Sequence, residues 1–196
     1  MQLTSVHAPL HFLFHKAFLC GETGYGESGT KFSLRPRPGE TILVFRTDDG
    51  GEGGKKSESK GDGGKKSEKT GAGGGTFREH FGIKKDEKCS DLLLFYALEQ
   101  PGKPFRYRLA FIELKGTDAA RGVEQLDRAM LAVRSKLPAA LGSSFFNPDC
   151  LRAIILSSMA SPDPSYTSRL GPFSKKWQIS PILCHPLGDI RAHLLG

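Results

Sequence analysis

Cysteine is sparse in this sequence and scattered along it. The four, Cys20, Cys89, Cys150 and Cys184, include no Cys-x-x-Cys pair, so their spacing indicates neither a disulfide framework nor a structural zinc site. A reducing cytoplasm is the expected setting. An uninterrupted run of the ~20 apolar residues that a membrane-spanning helix requires is also missing, which excludes such a helix and any membrane role that depends on one. The most apolar N-terminal stretch, "VHAPLHFLFHKAFLC" (6–20), is interrupted by three histidines and Lys16 and has no cationic start; it is read as part of the domain and not as a targeting signal. Acidic residues are scarce: 21 Asp and Glu face 28 Lys and Arg, a formal net charge of +7. That balance favours an acidic partner such as nucleic acid, although charge informs association and not fold.

The 196 residues suit one domain built on one core. Within it, positions 48–76 collapse into Gly, Lys, Ser, Asp and Glu, and "GGKKSE" occurs at 53–58 and again at 63–68. Such a segment has too little apolar surface to offset its chain entropy. Closing a longer loop costs only about 0.6 kcal/mol per doubling, so 48–76 is read as a disordered insertion in a single domain, 1–196. Its lysines could form an arm toward phosphates, but the carboxylates mixed among them weaken that role.

The rest of the chain alternates strand-like and helix-like patterns. "ETILVFR" (40–46), "SDLLLFYAL" (90–98) and "FRYRLAFIELK" (105–115) read as three strands, the last two joined by the turn sequence "EQPGKP". From Asp118 to Leu137, Ala119, Val123, Leu126, Met130, Val133 and Leu137 recur by threes and fours, which predicts an amphipathic helix capped by Thr117 or Asp118 and stopped by Pro138. "CLRAIILSS" (150–158) reads as a fourth strand and "KWQISPILC" (176–184) as a fifth, placed at a sheet edge by Pro181. With a helix over 6–20, the order is α-β-β-β-α-β: an α/β fold with a mixed central sheet flanked by helices.

The second and third strands carry the chemistry. Centring their hairpin on Gly102 pairs positions that sum to 204, which sets Asp91 opposite Glu113. Directly opposed residues of an antiparallel pair have Cβ atoms about 4.5–5.5 Å apart on one face. Two carboxylates so placed repel, and a divalent cation resolves the conflict. Magnesium suits such oxygen donors, with water and a substrate phosphate completing its shell. Lys115, two residues from Glu113 and therefore on the same face, would hold the attacking water and offset charge growing on a phosphorane-like transition state. Phosphodiester hydrolysis is the reaction class that needs this set.

These residues resemble the PD-(D/E)XK, or restriction-endonuclease-like, nuclease superfamily. "CSDLLLF" looks like its metal-aspartate strand and "FIELKG" like its ExK strand, with Ser90 where the signature has proline; the likeness covers about 89–157. It implies a restriction-endonuclease-like core, metal binding by Asp91, Glu113 and the Leu114 carbonyl, catalysis by Lys115, and a magnesium cofactor with manganese as substitute. It also implies a role near the active centre for Gln125 in "GVEQLDRAM", and it leaves Glu22 as the nearest candidate for an acid from the first helix. The activity implied is hydrolysis of nucleic acid, DNA first. The sequence offers no separate segment for recognising a DNA site, so a homodimer or a partner protein is expected to supply specificity. The alternative is a nuclease-fold module that binds nucleic acid or protein without turnover.

Other signals have simpler readings. His7, His11 and His15 are spaced by four, as a metal-binding stripe on a helix would be, but a solvated stripe opposite Val6, Leu10, Leu13, Phe14 and Ala17 explains the same spacing without a metal and is the preferred reading. "GETGYGESG" (21–29) lacks the Lys-Ser/Thr ending of a phosphate loop and is read as a flexible connection. Lys175, Lys176 and Trp177 in "FSKKWQ" mix charge with an aromatic ring and are weak candidates for nucleic-acid contact, against a plain reading as a solvated strand start. Cys89 is expected to be a small buried residue and not a nucleophile.

Overall fold

The structure is a computed structural model that describes residues 24–27, 30–47, 77–84, 86–115, 118–137, 143–158, 163–185 and 190–195, with the backbone alone over 24–33. Its elements in chain order are β1 (Gly24–Glu27), β2 (Thr30–Ser33), β3 (Glu40–Arg46), α1 (Phe77–Phe81), β4 (Leu92–Leu98), β5 (Arg106–Lys115), α2 (Ala119–Lys136), β6 (Leu151–Ser157), α3 (Pro164–Trp177), β7 (Ile182–Cys184) and α4 (Arg191–Leu195).

β3 to β7 form one five-stranded sheet in sequence order, and β1 and β2 form a separate antiparallel pair. β3 with β4 and β4 with β5 are antiparallel, whereas β5 with β6 and β6 with β7 are parallel. The carboxyl ends of β3, β5, β6 and β7 and the start of β4 therefore share one edge of the sheet. The β4–β5 register pairs Leu92 with Ile112 and Leu98 with Arg106, the register expected from the sequence. Gly102 turns the hairpin at φ +72, a left-handed conformation that a side chain would strain.

Both faces of the sheet are covered, which is why β4 reads LLLFYAL with no polar alternation and six of its seven residues buried. On one face Phe45, Leu93, Phe95, Leu109, Phe111 and Ile155 pack against Val123, Leu126, Met130 and Val133 of α2 and Phe173 and Trp177 of α3. Each such fully buried apolar side chain contributes about 1.5–3 kcal/mol. On the other face Val44, Leu92, Leu94, Ile112, Leu114 and Ile154 meet Leu34, Ile190 and Leu194. α2 matches its expected limits, and Asp118 caps it by accepting from the Arg121 N–H at 3.0 Å.

Three expectations need correction. The strand read over 176–184 is only Ile182–Cys184, because 164–177 is helix α3. Its start is signalled by Asp163, whose carboxylate accepts from the Tyr166 N–H at 2.7 Å, followed by Pro164 in the first turn. Tyr166, Phe173 and Trp177 then return to one buried side at helical spacing. Pro181 does lie at a sheet edge, directly before β7. The connection read over 21–29 contributes β1, paired through Tyr25 with Phe32 of β2. Finally, two short helices were not anticipated: α1, which buries Phe77 and Phe81, and α4, which covers the second face. The leading helix over 6–20, with its three histidines, and the insertion at 48–76 lie outside the described residues.

Candidate functional site

Burial of polar side chains locates the site. Seven polar or charged residues are buried among those described: Thr47, Ser90, Asp91, Glu113, Gln125, Ser157 and Arg191. All but Arg191 stand where β3, β5 and β6 end, β4 begins and α2 passes overhead. Buried polar groups are costly unless matched to partners, so such a concentration at the carboxyl end of parallel strands marks a place built for polar contact.

Asp91 immediately precedes β4, and one step outward from the Leu92 and Ile112 pair sets it level with Glu113. Thr47 pins its backbone by donating its N–H to the Asp91 carbonyl at 3.0 Å and its hydroxyl to the Ser90 carbonyl. The Asp91 carboxylate accepts from the Leu114 N–H at 2.6 Å. In an extended strand one residue's N–H and C=O point to the same side, so the Leu114 carbonyl is directed toward the same edge as Asp91. Glu113 is 0 % exposed and meets Lys115 Nζ at 2.5 Å, while the Lys115 side chain keeps 19 % of its exposure. The ammonium thus neutralises the buried acid and also reaches solvent.

α2 closes the site from above. A Cβ on Gly122 would stand 3.4 Å from Glu113 Cγ and 3.1 Å from Ile155 Cδ1, so the absence of a side chain there lets the helix lie directly over the acid. One turn on, Gln125 donates from Nε2 to the Cys89 carbonyl at 3.1 Å, and its Oε1 is buried with no hydrogen-bond partner. The structure therefore brings Asp91, Glu113, Leu114, Lys115 and Gln125 into one neighbourhood. Glu22 lies outside the described residues.

Lys175, Lys176 and Trp177 are not part of this group. Trp177 is 3 % exposed, its indole N–H donates to Asp127 at 2.7 Å, and Lys176 pairs with the same carboxylate at 2.8 Å. Arg134 and Lys176 stand 5.7 and 5.4 Å from the centre of the Trp177 ring. A ring buried against the α2–α3 contact presents no face to a base, which removes Trp177 as a stacking residue and leaves Lys175 as an exposed helical lysine. Cys89 is buried, with its thiol directed to the Thr47 carbonyl at 3.3 Å. Cys89, Cys150 and Cys184 are all free, and burial pushes the Cys184 thiol up to about 11.

Thr47, Gly122 and Ser157 are site residues that the sequence reading missed. Extending the β3 strand by one residue and pairing it with 90–98 would have found Thr47, and parallel pairing sets Ser157 beside Lys115. Gly122 has no signal in one sequence beyond being a glycine in a helical pattern.

Comparison of the chain with models of protein families, with curated proteins and with solved structures finds no match. The donor set at the strand ends is two carboxylates and a main-chain carbonyl, all oxygen, which suits a hard cation such as magnesium. Among the described residues no three His, Cys, Asp or Glu side chains converge on a point, so a cation here would draw its remaining ligands from water and substrate oxygens, as magnesium commonly does.

Proposed function

We propose that the chain is a magnesium-dependent nuclease that hydrolyses phosphodiester bonds, most readily of DNA, on a restriction-endonuclease-like core. The observation that carries the reading is the adjacency of Asp91 and Glu113 across the β4–β5 ladder, with Lys115 Nζ at 2.5 Å from Glu113. The mixed sheet, the strand order through β3, β4 and β5 to α2 and β6, and the net charge of +7 support it.

Asp91, Glu113 and the Leu114 carbonyl would hold the ion. When bound, magnesium supplies Lewis-acid polarisation of the phosphoryl oxygens and eases loss of a proton from water. The chain's own residues do the rest. Lys115, partly exposed at the rim, holds the incoming water and offsets the negative charge that grows in the transition state. The Leu114 N–H fixes the Asp91 carboxylate. Gln125, anchored through Nε2, presents Oε1 to orient water or a phosphate-bound proton. Thr47 and Ser90 hold the start of β4 in place.

The test is cleavage of plasmid and single-stranded substrates by the wild type and by Lys115→Ala, in magnesium and in EDTA, with circular dichroism confirming that the variant folds. Magnesium-dependent cleavage that falls at least a hundredfold in Lys115→Ala is expected, and activity retained in that variant rejects the assignment.

One observation favours a second reading, a binding module without turnover. Glu113 already has Lys115 and Asp91 already has the Leu114 N–H, so both acids have partners without a metal. That module binds nucleic acid in a salt-sensitive manner and gives no cleavage in either arm of the same experiment.

A further inference from the structure

Three arginines that the acidic site does not use stand together at the other end of the sheet. Arg106 and Arg108 are two apart on β5 and so face the side that carries Ala110 and Ile112, and Arg152 is level with Ala110 on β6. Their hydrogen bonds go to main-chain carbonyls. Arg106 reaches Leu195, Arg152 reaches His193 at 3.1 Å, Pro148 at 2.9 Å and Leu151 at 2.7 Å, and Arg108 reaches its neighbour Tyr107 at 2.8 Å.

Capping the last carbonyls of α4 accounts for Arg106 and Arg152, but not for Arg108, and carbonyls carry no net charge to balance three guanidinium groups. None of the three forms an ion pair among the described residues, whereas Lys115, Arg169, Lys176 and Arg191 each do. Arg108 Nε is buried with no acceptor. The Arg152 guanidinium is held below its ordinary range first by burial and then by the charge of Arg108, with a smaller push from Arg106, while Cys150 and Asp149 act the other way without outweighing them.

We infer that Arg106, Arg108 and Arg152 form a binding site for the phosphate groups of a nucleic-acid backbone. The ligand chemistry is phosphate, and the layout selects a chain of phosphates over a single ion. Two of the guanidinium groups arise about 7 Å apart along β5, and the third arises one strand, about 4.8 Å, to the side and about 7 Å further along than Arg108, level with Ala110. This is an open row, not a converging cradle. Its nearest member, Arg152, is level with Ala110 and so lies roughly 10 Å along the strands from Glu113, three residues at ~3.3 Å each, with Arg108 roughly 16 Å away, and the row is on the opposite face. It therefore holds a stretch of backbone distinct from any that reaches the acids. The choice of nucleic acid as the polyanion rests on the nuclease reading; the site itself does not.

The experiment measures binding of a short labelled duplex to the full chain by anisotropy in EDTA, over a salt series of about 50 to 200 mM. Because no metal is present, loss of binding is read separately from loss of cleavage. Arg108 is the residue to change, since its single hydrogen bond is to a neighbouring carbonyl and α4 does not depend on it. Arg108→Gln is expected to weaken binding about fivefold to tenfold and to make the slope of log K against log salt shallower by about 0.9, while Arg108→Lys keeps the slope. Melting curves with and without inorganic phosphate provide the second arm. An unchanged slope in Arg108→Gln overturns the proposal. So does an unchanged slope together with a phosphate-induced rise in melting temperature that Arg108→Gln abolishes, which would assign the row to a free anion instead.

Discussion

Replacing Lys115 with methionine isolates the electrostatics of the acidic site from its chemistry. Methionine keeps most of the stem and removes the ammonium that stands 2.5 Å from Glu113, a side chain with no solvent exposure. Removing one partner of a fully buried pair costs about 3–5 kcal/mol. The Lys115 side chain retains 19 % of its exposure, so water already weakens the pair and the expected loss is about 2–3 kcal/mol. With a urea m-value of about 2 kcal/mol/M, the unfolding midpoint falls by about 1–1.5 M at unchanged m. Adding Glu113→Gln removes the stranded charge and should return the double variant to within about 1 kcal/mol of wild type. If the carboxylates hold magnesium, the ion at ten times its Kd adds about 1.4 kcal/mol, and Lys115→Met should gain more from it than wild type does, because the competing ammonium is gone. A Lys115→Met midpoint equal to that of wild type, or a double variant less stable than the single one, refutes the reasoning.

Two further outcomes concern the scaffold around the site. Burial raises the Glu40 carboxyl, but the Arg37 N–H, the Tyr96 hydroxyl and Arg191 together outweigh it and hold the group below its ordinary value of 4.5. A carboxyl lowered on folding stabilises the native state above the unfolded value, and that stability is lost as pH falls through the folded value; melting temperatures from pH 6 to pH 3 should therefore drop more in wild type than in Glu40→Gln. The same network pushes the Tyr96 phenol up to about 12, chiefly by burial and then by Glu40. Trp177 is the one tryptophan of the chain. Its buried ring should give blue-shifted emission that added DNA does not quench, and quenching by DNA would show that the ring reaches a bound base.

What one sequence determines about this chain is mostly local and periodic. The apolar runs at 40–46, 92–98 and 106–115, the threes and fours of α2, and the turn at Gly102 lie within a few residues of one another, so strand limits, hairpin register and the adjacency of Asp91 and Glu113 follow from counting. The periodicity of α3 is equally local, but Pro172 within the helix and the polar run Ser174, Lys175 and Lys176 hide it. Tertiary structure alone decided what neighbours in space but not in sequence do to one another. Thr47 reaches Ser90 across a sheet, Gly122 lies over Glu113 because β5, α2 and β6 form a parallel crossover, Trp177 is sealed by Asp127 fifty residues away, and Arg152 joins Arg106 and Arg108 across two strands. The physical reason is that periodicity fixes which face a side chain takes, whereas its partner across that face depends on how separate elements stack, and stacking is set by the packing of the whole core.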